Sequence, residues 1–214
     1  LTNENGQPES GRPPLIGDEA PAFTCRTTMG VRSLADYRGR WLVLFSHPAD
    51  FTPVCTSEFV AFARARDDFA RLDCDLLALS VDSLFSHLAW VRTIEARFGV
   101  RIPFPVIEDP SMAIAAAYGM IHPRASHTST VRACFVIDPL GVIRMIFSYP
   151  MSVGRNIAEI LRAVQALRTS DAHQVLTPAG WEPGDDVIEP TTLDQPDGDD
   201  ANWFYRTRSL EPAA

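Results

Sequence analysis

The apolar run Trp41-Leu42-Val43-Leu44-Phe45, with the Pro-bracketed loop and helical pattern after it, limits the possible folds more than any other stretch. The run has the length of a strand, while Phe59, Phe62 and Phe69 further on fall near one face at helical spacing. A strand therefore ends near Phe45, a loop carries His47 to Thr52, and a helix begins close to Pro53. Thr52 suits the N-cap, and Pro53 suits the first helical position, where its missing N–H costs nothing. Cys55 then lies in the first helical turn. Unpaired N–H groups and the positive end of the helix dipole favour an anion there. Thiolate is the reactive form of cysteine, and helix N-termini lower thiol pKa values. On local physics alone, Cys55 suits a nucleophile and a structural cysteine equally well.

Downstream, strand and helix patterns alternate, which defines an α/β chain. Asp75 to Val81 is a continuous apolar run of the kind that forms a strand buried on both faces. Asp82 or Ser83 can cap a helix running to Phe98, where Gly99 fits a helix C-terminus. A short strand is expected at Val106-Ile107, and Asp109-Pro110 predicts the start of a small Ala-rich helix reaching Tyr118. A polar loop, His122 to Thr130, leads into a strand, Val131 to Ile137, that holds Arg132 among apolar residues. Such an Arg is costly to bury unless it meets an anion, either a Cys55 thiolate or a carboxylate such as Glu58. Asp138-Pro139-Leu140-Gly141 reads as a type I turn into an antiparallel partner strand ending at Tyr149. Ser152 to Ser170 is amphipathic at helical period. From Thr177 periodicity stops, yet Trp181, Trp203, Phe204 and Tyr205 punctuate the tail. An arm docking on a second subunit and a tail packing on its own domain both fit that pattern.

The chain of 214 residues carries a formal net charge of -8, which argues against a nucleic-acid partner. Every basic residue is Arg, so neither Schiff-base chemistry nor a P-loop lysine is available. The four cysteines, Cys25, Cys55, Cys74 and Cys134, are widely spaced. They form no C-x-x-C pair, so zinc-ribbon, dithiol and disulfide-scaffold readings are disfavoured, and no metal or cofactor is expected. Residues 1–17 are polar and Pro-rich, and no stretch of about 20 apolar residues marks a membrane span. A reducing, cytoplasmic location is expected.

The string Ser46-His47-Pro48-Ala49-Asp50-Phe51-Thr52-Pro53-Val54-Cys55-Thr56-Ser57-Glu58 contains P-x-x-x-T-x-x-C and closely resembles the peroxidatic motif of peroxiredoxins. Its His-Pro start and Pro-Val-Cys-Thr core are most similar to the 1-Cys type. Thr130-Val131-Arg132 resembles the family's Arg-bearing strand, and Thr177 to Asp185 is similar to the opening of its C-terminal dimerisation region. The resemblance implies a thioredoxin-like fold with peroxiredoxin insertions and a C-terminal dimerisation arm. It divides the chain into a leader (1–16), a peroxidase domain (17–170) and a dimerisation region (171–214). It implies a thiol peroxidase in which Cys55 attacks hydrogen peroxide or an organic hydroperoxide. Thr52 would bind the peroxide, Arg132 would favour the thiolate, and Pro48 would shield the sulfur. His47, Glu58 and Arg155 would support the site. The partners implied are a peroxide substrate, an external thiol reductant and further copies of the chain, as a homodimer or a ring of dimers.

Two family features are missing. The tail has no Val-Cys-Pro, and the stretch Asp200 to Arg206 lacks the cysteines of a C-x-D-W-x-x-C motif. Both departures point to a 1-Cys mechanism. Cys74 and Cys134 sit in core-like strands and would need local unfolding to reach Cys55. A redox sensor or holdase-type oligomer using the same cysteine is the alternative, separated from the enzyme by whether peroxide is consumed catalytically.

Overall fold

The computed structural model describes residues 12–121, 129–191 and 204–210, and it divides into two compact units, Leu1–Ile157 and Ala158–Ala214. The first unit is built on a seven-stranded mixed sheet. Its strands are β1 (Thr24–Thr27), β2 (Gly30–Ser33), β3 (Trp41–Ser46), β4 (Cys74–Ser80), β5 (Val106–Glu108), β6 (Arg132–Ile137) and β7 (Ile143–Tyr149). The spatial order is β2-β1-β5-β4-β3-β6-β7. β3 pairs parallel with β4, from Trp41↔Cys74 to Ser46↔Leu79, and antiparallel with β6, where Phe45 faces Cys134. Every residue of β3 and β6 is buried, which is why both read as continuous runs rather than alternating ones.

Antiparallel pairing with β6 places its first residue, Arg132, beside the point where the chain leaves β3. Ser46 seals that junction, donating its hydroxyl to the Val131 carbonyl at 2.6 Å and accepting from the Ala133 N–H at 3.2 Å. Helix α1 (Pro53–Arg64) comes next, with Pro53 in its first turn and Thr52 at the N-cap in extended backbone. Thr52 makes no side-chain cap, and its hydroxyl donates to the Ala49 carbonyl at 2.8 Å. Cys55, Glu58, Phe59 and Phe62 lie on the buried face of α1. Phe62 stacks on Phe45 of β3 at 4.1 Å between ring centroids, and Phe59 meets the same ring edge-on at 5.8 Å.

The remaining elements are α2 (Arg66–Arg71), α3 (Leu84–Phe98), α4 (Ala113–Ala117) and a 3-10 turn at Leu34–Tyr37. Ser83 caps α3, and Gly99 ends it in the left-handed region at φ 64°. Two boundaries differ from the sequence expectation. α4 starts at Ala113 rather than just after Asp109, because Asp109 closes a separate turn first. Its carbonyl accepts from Met112 N–H at 2.9 Å, and its carboxylate reaches forward to Ala115 N–H at 2.7 Å. Helix α5 (Ile157–His173) starts after the expected Ser152 because the preceding backbone serves side chains. The Met151 carbonyl accepts from Arg132, and Arg155 N–H donates to Glu58. The polar loop expected over 122–130 lies outside the described residues apart from Ser129 and Thr130. At the β6–β7 turn Gly141 has φ 79°, and an added Cβ would sit 2.5 Å from the Arg38 guanidinium carbon.

In the second unit Trp181 is buried and packs with Ala166, Val175, Val187 and Leu210. Its indole N–H donates to the Asp185 carbonyl at 3.2 Å, and Arg162 donates to the Trp181 carbonyl at 3.0 Å. Strands β8 (Val187–Ile188) and β9 (Thr207–Arg208) form a small antiparallel pair. Phe204 and Tyr205 are exposed, while Trp203 lies outside the described residues. Among the described residues no helix is long and apolar enough to cross a membrane.

Candidate active site

Four side chains from three parts of the first unit meet in its interior. α1 supplies Cys55 and, one turn on, Glu58; β6 supplies Arg132; the segment after β7 supplies Arg155. All four are buried, Cys55 completely. Arg132 Nη1 donates to Cys55 Sγ at 3.3 Å and to Glu58 Oε2 at 2.8 Å. Its Nε and Nη2 both donate to the Met151 carbonyl, at 3.0 and 2.8 Å. The planar guanidinium is thereby held from two sides, a geometry that lysine cannot supply. Glu58 is the hub. Its Oε1 accepts from the Arg155 backbone N–H at 2.8 Å and from Arg155 Nε at 2.9 Å, and Oε2 accepts from Arg155 Nη2 at 2.8 Å. Arg155 also donates to the Ala133 carbonyl at 2.9 Å and lies over the Phe45 ring at 5.1 Å. This cluster sets two guanidinium charges against one carboxylate, an excess of positive charge beside Cys55 Sγ that favours an anion there, since solvent cannot supply one.

The loop between β3 and α1 is equally constrained. His47 N–H donates to the Leu79 carbonyl at 2.9 Å, and the His47 carbonyl accepts from the Thr130 hydroxyl at 2.7 Å. Pro48 is buried beside it. Asp50 N–H donates to Asp82 Oδ2 at 3.0 Å. Phe51 then adopts φ 58° with its ring exposed, a conformation that costs a non-glycine residue roughly 1–2 kcal/mol. The strained turn delivers Thr52 and the start of α1. His47 does not reach the sulfur by any hydrogen bond described: its Nε2 pairs with Asp50 Oδ1 at 2.9 Å, and its buried Nδ1 has no partner among the described residues. Burial pushes the His47 pKa down, against the opposing pull of Asp50.

Sequence reasoning missed Asp50 and His87. Asp50 accepts from His47 and, through both carboxylate oxygens, from His87 Nδ1 at 3.0 and 2.8 Å. Burial raises the Asp50 pKa, but hydrogen bonds from the two histidines outweigh it and hold the carboxyl well below its ordinary value. One atom from each of His47, Asp50 and His87 lies within 4.8 Å of the others, close enough to share an ion. Direct hydrogen bonds among them account for that spacing without one.

The other cysteines have different surroundings. Burial, with Asp109 and Glu108 nearby, pushes the Cys25 thiol up to about 11. Burial pushes Cys134 up to about 12. Cys74 pairs with Trp41 at the beginning of β3, whereas Cys55 comes after the end of that strand. Five residue steps of strand separate the two ends, roughly 17 Å.

A buried, Arg-paired cysteine at a helix N-terminus on a sheet of this topology defines a thiol-based redox protein. The chain matches the AhpC/TSA family over residues 16–146 and the C-terminal domain of 1-Cys peroxiredoxin over residues 166–197. It is 55% identical over 171 residues to a peroxiredoxin of Aquifex aeolicus, covering 79% of this chain and 77% of the relative. It is 52% identical over 184 residues to a peroxiredoxin of Methanosarcina mazei, covering 83% of this chain and 84% of that one. The fold is similar to a yeast mitochondrial 1-Cys peroxiredoxin, with TM-score 0.79 and 42% identity over 83% of this chain and 87% of that chain. A Plasmodium vivax 2-Cys peroxiredoxin superposes nearly as well, with TM-score 0.77 and 30% identity over 83% of this chain and 94% of that chain. The chain belongs to the AhpC/TSA family, with the thioredoxin-like fold of its structural neighbours, and is a peroxiredoxin, a thiol peroxidase. Because 1-Cys and 2-Cys relatives share the backbone, overall similarity does not decide how the oxidised cysteine is reduced.

Proposed function

We propose that the chain reduces hydrogen peroxide and organic hydroperoxides by a 1-Cys mechanism with Cys55 as the peroxidatic residue. The observation that carries this reading is the Arg132 guanidinium 3.3 Å from Cys55 Sγ within a buried cluster of two guanidiniums and one carboxylate. The thiolate attacks one peroxide oxygen, an S–O bond forms as the O–O bond breaks, and the other oxygen leaves with the bonding pair. That oxygen takes up a proton and departs as water or alcohol, leaving Cys55 as sulfenic acid. Thr52 donates its hydroxyl proton to Ala49, which leaves its oxygen to act as an acceptor for the peroxide O–H. The Cys55 N–H lies in the first helical turn, where no helical carbonyl takes it, and is a donor for the reacting oxygen. Arg132 stabilises charge as it spreads from sulfur to oxygen, the role of a preorganised oxyanion donor. Pro48 brings no N–H to this wall and keeps solvent from the sulfur. Glu58 and Arg155 hold Arg132 in place.

The sulfenic acid is then reduced by an external thiol, in a reducing compartment such as the cytoplasm. The related yeast protein is described by thiol resolution through glutathione and thioredoxin systems. A completely buried sulfur admits a small peroxide more readily than a thiol reductant, so reduction requires the start of α1 to move. The segment matching the 1-Cys C-terminal domain supports assembly into homodimers or rings of dimers. Steady-state peroxide consumption with an excess of small thiol checks this reading. A variant with Cys25, Cys74 and Cys134 all changed to Ser is expected to keep turnover within about twofold of the parent. Loss of turnover in that variant, with a protein disulfide formed in the parent, would make one of those three the resolving thiol.

A further inference from the structure

Hydrogen bonds to two histidines converge on the Asp50 carboxyl group. His87 Nε2 lies 3.0 Å from the Ile107 carbonyl, which only accepts, so Nε2 carries a proton. His87 Nδ1 lies 2.8 Å from Asp50 Oδ2 and 3.0 Å from Oδ1, so both ring nitrogens are engaged. His87 is fully buried and ties Asp50 to the backbone of β5. His47 Nε2 donates to Asp50 Oδ1, which leaves His47 neutral with its bare nitrogen at Nδ1.

The pair grips the chain where it is strained. Asp50 immediately precedes Phe51, whose φ of 58° is unfavourable, and Thr52 and α1 come directly after. Side chains from α3 and from the loop after β4 hold Asp50 in place, through His87 and Asp82. We infer that His87, acting through Asp50, is a positioning residue for the peroxide reaction: its buried hydrogen bonds to Asp50 hold the Phe51 turn and so set where Thr52 and Cys55 present their groups to the peroxide. The inference rests on the proposed peroxidatic roles of Thr52 and Cys55.

This cluster makes the turn sensitive to pH. His47 faces Asp50 on the turn, His87 on α3 and Asp82 after β4, with Phe59 and Trp90 completing its surroundings. Burial holds the His47 pKa below the ordinary histidine value of about 6.5, so His47 takes up a proton less readily in the closed cluster than in the opened one. The contribution of His47 to holding the turn is therefore fully present above that value and is lost as pH falls below it.

Two variants of the full chain test the inference. His87→Phe is compared with the parent in its rates with hydrogen peroxide and with iodoacetamide, which attacks the sulfur without using the peroxide-binding groups. The peroxide rate is expected to fall roughly 10- to 100-fold, as for small misplacements of reacting groups, with alkylation changed less than threefold. His87→Asn, which restores an N–H toward Asp50, is expected to recover part of the loss. Equal changes in both rates, or none, contradict a positioning role. Should His87→Phe fail to fold, the His87→Asn rates decide. Cys55→Ser retaining peroxidase activity would instead remove the underlying reading of Cys55 and leave the hold of His87 on Asp50 standing.

Discussion

Replacing Arg132 with Met is expected to lower kcat/KM for hydrogen peroxide by roughly 10²- to 10³-fold, the size of effect seen when an oxyanion donor is removed. Arg132 Nη1 is the described cation in contact with the sulfur, and the site positions it from both sides through Glu58 and the Met151 carbonyl. The fold should survive, because Glu58 keeps Arg155 as a close partner. Arg132→Lys should recover little, since a single ammonium cannot span Cys55, Glu58 and Met151 together. Stopped-flow measurement of the reduced protein with peroxide, beside thermal melts of each variant, separates rate from stability. A loss smaller than tenfold would remove Arg132 from the chemistry.

The second large effect falls on stability. Glu58→Ala leaves two buried guanidinium groups without their shared carboxylate, a situation that costs about 3–5 kcal/mol. For a chain of this size that corresponds to a fall in Tm of roughly 10 °C. Activity should fall as well, because Arg132 loses one of its two anchors. Glu58→Gln keeps the shape but not the charge and should fall between the parent and Glu58→Ala. If Glu58→Ala melted within about 2 °C of the parent, Glu58 would not be the hub of the cluster. The ordering matters more than the absolute values, since Arg132→Met removes one cation and Glu58→Ala strands two.

The parts of this architecture that could be read from sequence are those set by near neighbours. The strand at Trp41, the turn at Pro48 and the helix at Pro53 arise from apolar spacing and from the backbone preferences of Pro and Thr. Arg132 stood out because an Arg within a buried strand needs an anion, and its partners in the structure are Cys55 and Glu58. Arg155 gave a weaker signal, since an Arg near a helix start is commonplace; only the long-range contact with Glu58 distinguishes it. Asp50 and His87 gave no usable signal. They are 37 residues apart, and a lone His on the inner face of α3 carries no mark of the carboxylate it meets. The late start of α5 was illegible for the same reason, because Glu58 captures the Arg155 N–H from far away in sequence. The late start of α4 is local, set by the turn in which the Asp109 carbonyl accepts from Met112 N–H.

The most direct measurement is intact mass of the reduced protein after one equivalent of hydrogen peroxide, for the parent and for Cys55→Ser. The parent should gain a single oxygen, trapped at Cys55 by a sulfenic-acid reagent, and a second oxygen only as peroxide is raised further. Cys55→Ser should gain none, because Cys25 and Cys134 are held as thiols by burial. Oxidation of Cys55→Ser at the same rate as the parent, or a parent that stays reduced at stoichiometric peroxide, would contradict the assignment of Cys55 as the peroxidatic residue.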